Sequence, residues 1–413
     1  MVQYKKFNNG LRLVVNKMEG MLSVSIGVLV KTGSMNETQI DNGISHFIEH
    51  VMFKGTEKRS AFEISDHIDR IGAQINAFTS KELTCYYTKS TREHAEESLE
   101  ILSDIFFNSK FDKEELEKEK GVVIEEIKMS EDTPEEVCLD LLSQGYYGKS
   151  GLGQTILGSS KNIKSFTRDD VIKYMDKYYT ADNVVISVAG NIDIERATSL
   201  VEKYFADKFT RLKSQKQAKT QLVEPQHLLR NKRIEQTHIG FAMKGISLND
   251  KQSDAFAIAN IVFGGGMSSR LFQKIREELG LAYSVYSYAS GYKDNGILEI
   301  YAGVNTSLRD LAVNAILEQI EVLKKDKITE QEFNRGKAQI KSAFIMGQES
   351  TASQMLLYAK HLILLDKEFD LNERINRLES VSIKDVSDVI DEYFDIKTMA
   401  TATVGSKRLP LKI

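Results

Sequence analysis

Alternating apolar and polar positions near the start of the chain predict a β-hairpin. Residues 4–7 and 11–15 form its two arms, and the dipeptide Asn9-Gly10 between them is a strong signal for a two-residue turn. Runs rich in β-branched and aromatic residues predict more strands farther along. These strands are expected at 24–30, within 77–90 and at 184–188.

Apolar residues spaced three and four positions apart predict helices between these strands. The pattern predicts helices near 44–52 and 61–71, and a longer helical region over 92–142. Pro134 marks a break in this region, because proline lacks the amide hydrogen that a helix interior requires. Helices therefore gather in runs between the strands.

The clearest long-range pattern is an internal repeat. Residues 165–190 and 380–405, offset by 215 positions, each read as a helix, a short turn and a strand that ends in glycine. The offset is about half of the chain, which favours duplication over a chance similarity of two helix–strand units. The residues of the first copy that recur in the second are Ser165, Asp170, Val171, Asp176, Tyr178 and Gly190.

A basic stretch lies between the two copies. Residues 208–233 contain eight Lys and Arg against one acidic residue, which is typical of a polar linker. A nucleic-acid-binding tract is the alternative, but few aromatic side chains are present for base stacking. We therefore expect an α+β fold of two homologous halves, each a mainly antiparallel sheet with helices packed on one face. The halves are predicted at 1–210 and 234–413, joined by a linker at 211–233.

Composition narrows the class of protein further. The 55 basic and 59 acidic residues give a net charge of −4, so bulk charge favours neither nucleic acid nor an anionic membrane as a partner. Cys85 and Cys138 are too few for a disulfide framework, and the first ten residues do not resemble a signal peptide. The longest apolar runs stay short of the roughly 18 residues that span a bilayer. We expect a cytoplasmic protein that binds neither nucleic acid nor membrane.

The segment GISHFIEHVMFKG, within the predicted helix 44–52 and its flanks, carries the clearest candidate chemistry. His46 and His50 are four positions apart, so on a helix they share one face and can bind one tetrahedral Zn²⁺. Glu49 can reach a water on the metal without being a ligand, which is the inverted order HxxEH. A surface histidine pair is the alternative. The apolar residues around the pair favour a buried helix, in which polar groups need partners.

A catalytic zinc ion usually has three protein ligands, and an acidic helix offers the third. The sequence EELEKEKGVVIEEIKM is acidic but has an apolar side. Glu119 and Glu126 lie almost in line two turns apart, whereas Glu125 points about 100° away. Glu126 is therefore the predicted third ligand, and Glu119 is predicted to support the ligands from behind. The remaining histidines are weaker candidates.

The sequences HFIEH and IEEIKMSEDTPEE resemble the pitrilysin/insulinase family of zinc metallopeptidases, the inverzincins. The likeness is strongest to short members similar to mitochondrial processing peptidase, and the interval of 76 positions from His50 to Glu126 is similar to the family's. The resemblance implies that His46, His50 and Glu126 hold zinc. It also implies that Glu49 is the general base and that Glu119 is the additional family glutamate.

Two further segments resemble parts of that family. One is similar to its NAxT segment, an edge strand that pairs with an extended substrate by β-augmentation, although a plain core strand is the alternative. This segment consists of Asn76, Ala77, Phe78 and Thr79. The other contains Arg276 and Tyr283, which match the family's Arg/Tyr pair that stabilises an oxyanion. On composition alone, Arg276 is an ordinary surface charge on a helix.

The resemblance also implies an activity and an assembly. The second half has no HxxEH motif, as in the family, where one half holds the metal. The implied activity is that of a zinc-dependent endopeptidase or oligopeptidase, which hydrolyses unfolded peptides in a closed chamber. The implied assembly is a homodimer, with a related partner chain as the alternative. A non-catalytic subunit and a zinc hydrolase of another type are the competing hypotheses.

Overall fold

The computed structural model describes residues 2–209, 218, 220 and 223–406, which form two compact units. Each unit is built from three separate stretches of chain. The first contains Met1–Ile127, Gln154–Lys219 and Met346–Phe369, and the second contains Lys128–Gly153, Thr220–Ile345 and Asp370–Ile413. Each predicted half was one continuous stretch of chain. In the structure, the first unit also contains Met346–Phe369 from the second half, and the second unit also contains Lys128–Gly153 from the first half. This exchange reflects contacts between residues far apart in sequence, which local patterns do not encode.

The first unit contains a six-stranded sheet in which strands β2 and β6 are parallel and every other neighbouring pair is antiparallel. The order across the sheet is β1-β2-β6-β3-β5-β4, so β4 is an edge strand. The predicted hairpin is confirmed as β1 and β2. The strands are β1 (Val2–Lys6), β2 (Arg12–Lys17), β3 (Ser23–Val30), β4 (Gln74–Thr79), β5 (Thr84–Thr91) and β6 (Val184–Gly190).

Helices cover the core face of this sheet. Along β3, alternate residues such as Val24, Ile26 and Val28 point into a core that the apolar sides of the helices complete. The helix α4 belongs to this unit as far as Ile127. The helices are α1 (Ile44–Val51), α2 (Ala61–Arg70), α3 (Ala95–Asn108), α4 (Lys113–Asp132), α6 (Ser160–Ser165), α7 (Arg168–Tyr178) and α8 (Ile194–Tyr204).

One more helix, α12 (Thr351–Leu365), packs on the opposite face of the first sheet. The hydroxyls of Ser25 and Thr351 lie 2.9 Å apart in the buried contact. Gly27 leaves room for the buried side chain of Met355, because a Cβ atom there would lie 2.3 Å from its sulfur. The first sheet therefore has the predicted helices on one face and a single additional helix, α12, on the other.

The second unit repeats the plan of the first with five strands in the order β7-β11-β8-β10-β9. Only β7 and β11 are parallel, as β2 and β6 are in the first unit. Helix α5 packs on one face, where Cys138 and Leu142 approach Gly240. The strands are β7 (His227–Asn231), β8 (Gln236–Lys244), β9 (Ala282–Gly291), β10 (Gly296–Asn305) and β11 (Ala400–Gly405). The helices are α5 (Pro134–Tyr147), α9 (Ser253–Phe263), α10 (Arg309–Asp326), α11 (Glu330–Gly347, in this unit as far as Ile345), α13 (Leu371–Ser380) and α14 (Ile383–Tyr393), with a π-helical segment at Phe272–Glu278.

The two sequence repeats adopt the same local structure. Helix α7 leads into β6 and helix α14 leads into β11, at positions that differ by the predicted offset. Both helices begin with a capping box, which Thr167 and Asp170 form in the first copy and Ser382 and Asp385 form in the second. The matching strand orders and caps confirm the α+β fold of two homologous halves.

The predicted linker is described only in part. Residues 211–217, 219, 221 and 222 of the range 211–233 lie outside the described residues. Within the same range, residues 227–231 form strand β7 of the second sheet rather than a linker. No helix in the described part of the chain is both long and apolar enough to cross a membrane.

Candidate metal centre

Helix α1 presents the HxxEH motif beside the core of the first unit. Its residues Phe47, Ile48 and Val51 are buried in that core, which fixes the rotation of the helix about its axis. His46 and His50 then lie on one side, with their ring centroids 4.6 Å apart. The four-residue spacing of the two histidines therefore places their imidazole rings next to each other.

The carboxylate of Glu126 reaches this pair from helix α4. One of its oxygens, Oε2, lies 3.6 Å from Nε2 of His46 and 3.3 Å from Nε2 of His50. All three potential ligand atoms lie within 4.8 Å of one another. Two imidazole nitrogens and one carboxylate oxygen are a typical donor set for a catalytic zinc ion, which keeps one position open. The residues present therefore fit zinc.

The protonation of His46 also suits a metal ligand. Burial, together with the neighbouring His50, lowers the pKa of His46 to about 4, so its ring is neutral near pH 7. Metal ions bind the neutral imidazole. The other ring nitrogen, Nδ1, is buried and has no hydrogen-bond partner among the described residues. The orientation of this ring is therefore set by packing and by the helix backbone.

His50 has the partner that His46 lacks. Its Nδ1 donates to Oε1 of Glu119 at 2.8 Å, which leaves Nε2 facing Glu126. Burial raises the pKa of Glu119, but hydrogen bonds from His50 and Lys54 outweigh burial and lower it. For His50, burial lowers the pKa, and the hydrogen bond to Glu119 with the nearby carboxylates reverses the shift and raises it. A carboxylate behind a histidine is the usual arrangement that orients a metal-bound ring.

Lys54 is a member of this arrangement that the sequence did not reveal. Its ammonium lies 2.7 Å from Oε2 of Glu119, so this buried carboxylate contacts a cation on one oxygen and His50 on the other. Lys54 follows the end of α1, where helical spacing no longer predicts which side a residue occupies. The contact with α4 could not be found from sequence spacing.

Glu49 lies next to the ligands without being one of the clustered metal-binding groups. The hydroxyl of Thr79 donates to Oε2 of Glu49 at 2.5 Å. Burial raises the pKa of Glu49, while the Thr79 hydrogen bond and the charge of His50 act in the opposite direction; the net shift is upward. A raised pKa brings a carboxylate closer to the range in which it accepts and returns protons near neutral pH.

The predicted substrate strand is the edge strand β4. Asn76 is exposed and its side-chain oxygen accepts the backbone N–H of Ala77, while the rings of Phe78 and Tyr87 are 6.3 Å apart. β4 pairs with β5 on one side, and it has no neighbour on the other side among the described strands. The sequence predicts Thr79 only as part of this strand, because spacing along the chain does not reveal its bond to Glu49.

Arg276 and Tyr283 belong to the second unit and contact each other. The guanidinium carbon of Arg276, in the π-helical segment, lies 4.7 Å from the ring centroid of Tyr283 at the start of β9. The same guanidinium also stacks on Phe272 at 4.8 Å. The tyrosine is 78% exposed, so this cation and phenol form an accessible pair.

Comparisons with known proteins agree with this architecture. Residues 12–160 match the model of the insulinase family, peptidase family M16, and residues 165–340 match the peptidase M16 inactive domain. An uncharacterized zinc protease of Bacillus subtilis, YmxG, is 44% identical over 95% of this chain and 96% of its own length. The chain belongs to peptidase family M16. An uncharacterized zinc protease of Rickettsia felis is also similar, at 35% identity over 98% of this chain and 97% of its own length.

Solved structures share the fold of this M16 chain. A protease from Helicobacter pylori has a TM-score of 0.90 and 24% identity, over 98% of this chain and 99% of its own. A protein from Pseudomonas fluorescens, described as a peptidase M16 inactive domain, has a TM-score of 0.91 and 17% identity over the whole of both chains. The solved structures confirm the fold, and the family models together with the zinc protease relatives confirm the predicted family.

The two family matches divide the candidate residues of the M16 chain. The insulinase match includes the HxxEH motif on α1 and both glutamates of α4, whereas the inactive-domain match includes Arg276 and Tyr283. The division agrees with the absence of a second HxxEH motif from the sequence. The roles of the individual residues stay predictions.

Proposed function

We propose that this M16 chain is a zinc-dependent peptidase whose metal is held by His46, His50 and Glu126. The observation that carries the proposal is that ligand atoms of His46, His50 and Glu126 lie within 4.8 Å of one another, with both Nε2 atoms facing the Glu126 carboxylate. The carboxylate of Glu49 lies near enough to interact with the charges of His50 and Glu126. The names of the relatives, which are called zinc proteases, support the same metal and the same class of reaction.

When bound, zinc polarises the scissile carbonyl and lowers the pKa of a water molecule toward about 7. Glu49 accepts the proton of the attacking water and passes it to the leaving amine. The hydroxyl of Thr79 fixes the direction of this carboxylate through its 2.5 Å hydrogen bond. Glu119 holds the ring of His50 through Nδ1, so that Nε2 stays available as a ligand.

The proposed substrate is an unfolded peptide that binds as an extended strand. The open side of β4, along Asn76, Ala77 and Phe78, offers unpaired main-chain groups for such a strand. Main-chain pairing holds peptides of many sequences, which suits an endopeptidase or oligopeptidase in a closed chamber. Arg276 and Tyr283 are the proposed donors to the oxyanion of the tetrahedral intermediate.

The proposed assembly is a homodimer, because one chain carries both the metal-binding motif and the Arg/Tyr pair and two copies can therefore supply both. The proposed location is the cytoplasm. If the two sets act across chains, mixing Glu49→Gln protein with Arg276→Ala protein restores part of the activity after subunit exchange. Exchange without recovered activity would contradict sharing between chains. A related chain as an obligate partner is the alternative.

The test measures bound zinc and peptide cleavage together, with a mixed peptide library read by mass spectrometry. Wild type is expected to contain zinc and to cleave. Glu49→Gln is expected to contain zinc without cleaving, and Glu126→Gln to lose zinc. Glu125→Gln, which changes the adjacent and exposed glutamate of the same helix, is the matched control and should behave as wild type.

Three results would change the proposal in different ways. Zinc in wild type and Glu49→Gln with cleavage in neither favours the alternative, a non-catalytic or partner-dependent subunit. Near-full activity of Glu49→Gln refutes its role as the base. Absence of zinc from wild type refutes the metal centre.

A further inference from the structure

A buried carboxylate outside the ligand set contacts the beginning of the metal-binding helix. Glu37 is 4% exposed and lies seven residues before α1. Its Oε2 accepts the backbone N–H of Gly43 at 2.7 Å and the side-chain amide of Asn42 at 2.8 Å. Its Oε1 accepts the backbone N–H of Ser45 at 2.8 Å. Both oxygens of one side chain therefore bind the first turn of α1.

Helix α1 cannot supply this cap from its own N-cap residue. That residue is Gly43, which has no side chain to accept the free N–H groups of the first turn. Glycine is required there because its φ is 100° and because a Cβ atom would lie 2.7 Å from the carbonyl oxygen of Leu157. The first turn of α1 contains no acidic residue either. Glu37 provides the missing acceptor at the positive end of the helix.

A chain of buried hydroxyls holds the same turn from a second direction. The hydroxyl of Ser45 lies 2.8 Å from that of Tyr174, which in turn lies 2.8 Å from that of Thr32. Ser45 precedes His46 directly in sequence. The main chain that carries this histidine is therefore fixed on one side by a carboxylate and on another by a hydrogen-bonded network.

The two histidines differ in how their rings are fixed, and this difference gives Glu37 a role. His50 is oriented through Nδ1 by Glu119, whereas Nδ1 of His46 has no partner among the described residues. The position of the His46 ring therefore depends on the backbone of the first turn. The Glu37 carboxylate binds that backbone one residue before His46.

We infer that Glu37 is a positioning residue of the metal centre, which holds Nε2 of His46 at the place where a zinc ion binds by anchoring the first turn of α1. The inference rests on the proposed function, since it assumes that His46 is a metal ligand. Glu37 positions His46 by binding the main chain next to it, whereas Glu119 orients His50 by binding its ring.

The test compares metal binding in Glu37→Gln with two controls. Glutamine keeps the size of the side chain but places an NH₂ group against a backbone N–H donor. Glu63→Gln is the matched control, because Glu63 accepts the Ser60 N–H at the start of α2, a helix without metal ligands. Leu200→Ala, in the buried core at α8, is the control for a general loss of stability.

Three readouts separate positioning from stability. They are the zinc dissociation constant from competition with a chromogenic chelator, the visible absorption bands of the Co²⁺-substituted protein, and the thermal unfolding of the metal-free protein. Glu37→Gln is expected to bind zinc about 10- to 100-fold more weakly, the range known for residues behind metal ligands, and to shift the Co²⁺ bands. Glu63→Gln should leave both unchanged, and Leu200→Ala should lower only the unfolding temperature.

Wild-type zinc affinity and Co²⁺ bands in Glu37→Gln would overturn the inference. The inference would also be overturned if Glu37→Gln and Leu200→Ala lost the same thermal stability and Glu37→Gln lost no more zinc affinity than Leu200→Ala. If Glu37→Gln does not fold, Glu37→Asp carries the test, because it keeps the carboxyl group but is one methylene shorter. It is expected to bind zinc about 10-fold more weakly, and wild-type affinity in it would overturn the inference.

The same experiment separates this inference from the proposed function. If wild type binds zinc without cleaving peptides while Glu37→Gln binds zinc weakly, the peptidase proposal fails and Glu37 keeps its role. If wild type binds zinc and cleaves peptides while Glu37→Gln binds zinc normally, only the inference fails. A wild type that binds no zinc overturns both.

Discussion

Replacing Thr79 with valine is expected to move the acid limb of the pH–activity profile upward. The threonine hydroxyl donates to the Glu49 carboxylate at 2.5 Å and favours its ionised form. Burial already raises the pKa of Glu49, and the hydrogen bond is the largest influence that opposes burial. Valine keeps the shape of threonine and removes the donor, so the pKa of Glu49 should rise further.

The size of the shift follows from the strength of that bond. A hydrogen bond to a charged group contributes roughly 1.5–3 kcal/mol, and about 1.36 kcal/mol corresponds to one pKa unit. The ionised form of Glu49 should therefore lose stabilisation of this order in Thr79→Val, which raises its pKa. Because the base must be ionised to accept a proton, activity is present above this pKa and is lost as the pH falls through it.

The assay is kcat/KM against pH for cleavage of one peptide by the zinc-loaded enzyme. Thr88→Val is the matched control, since Thr88 lies on neighbouring strand β5 and its buried hydroxyl has no hydrogen-bond partner among the described residues. The acid limb of Thr88→Val should coincide with that of wild type. An unshifted acid limb in Thr79→Val, with only a uniform loss of rate, would refute the assignment of Glu49 as the titrating base.

Three further predictions concern the metal centre and the fold. Glu119→Gln should weaken zinc binding about 10- to 100-fold in a chelator competition, and unchanged affinity would contradict its role behind His50. Gly27→Ala should lower the free energy of unfolding by about 1–3 kcal/mol in urea, because its Cβ would overlap the fully buried side chain of Met355, whereas Gly121→Ala, with open space around it, should not destabilise. Burial raises the pKa of Glu332, but bonds from Arg270 and the Thr329 backbone outweigh it and lower the pKa to about 2. Wild type should therefore lose about 2 kcal/mol of stability as the pH falls from about 4.5 to 2, and Glu332→Gln should lack this loss; equal acid sensitivity of the two would contradict stabilisation by the ionised Glu332.

The sequence predicted the parts of the site that lie within single elements. The spacing of His46 and His50 predicted one helical face, and the 3.6-residue period selected Glu126 and Glu119 over Glu125. The side chains of His46, His50, Glu119 and Glu126 lie on the predicted helix faces, where α1 and α4 meet. Periodicity works here because each helix turns one face toward the core of the first unit.

Contacts that join distant elements could not be predicted in the same way. The hydroxyl of Thr79 reaches Glu49 because β4 packs beside α1, and Lys54 reaches Glu119 from beyond the end of a helix. Helix α12 packs on β3 and β6, and helix α5 packs on β8 and β11, although each helix is far from these strands in sequence. Such pairings are decided by packing in three dimensions, which the local pattern of apolar residues does not record.

X-ray absorption at the zinc edge of the purified protein tests the metal centre most directly. Coordination by His46, His50 and Glu126 predicts two imidazole nitrogens at about 2.0–2.1 Å and oxygen neighbours at about 2.0–2.2 Å. It also predicts no sulfur neighbour, since Cys85 and Cys138 are both buried and neither is among the clustered ligand groups. A sulfur neighbour at about 2.3 Å, or a single imidazole, would contradict the proposed centre.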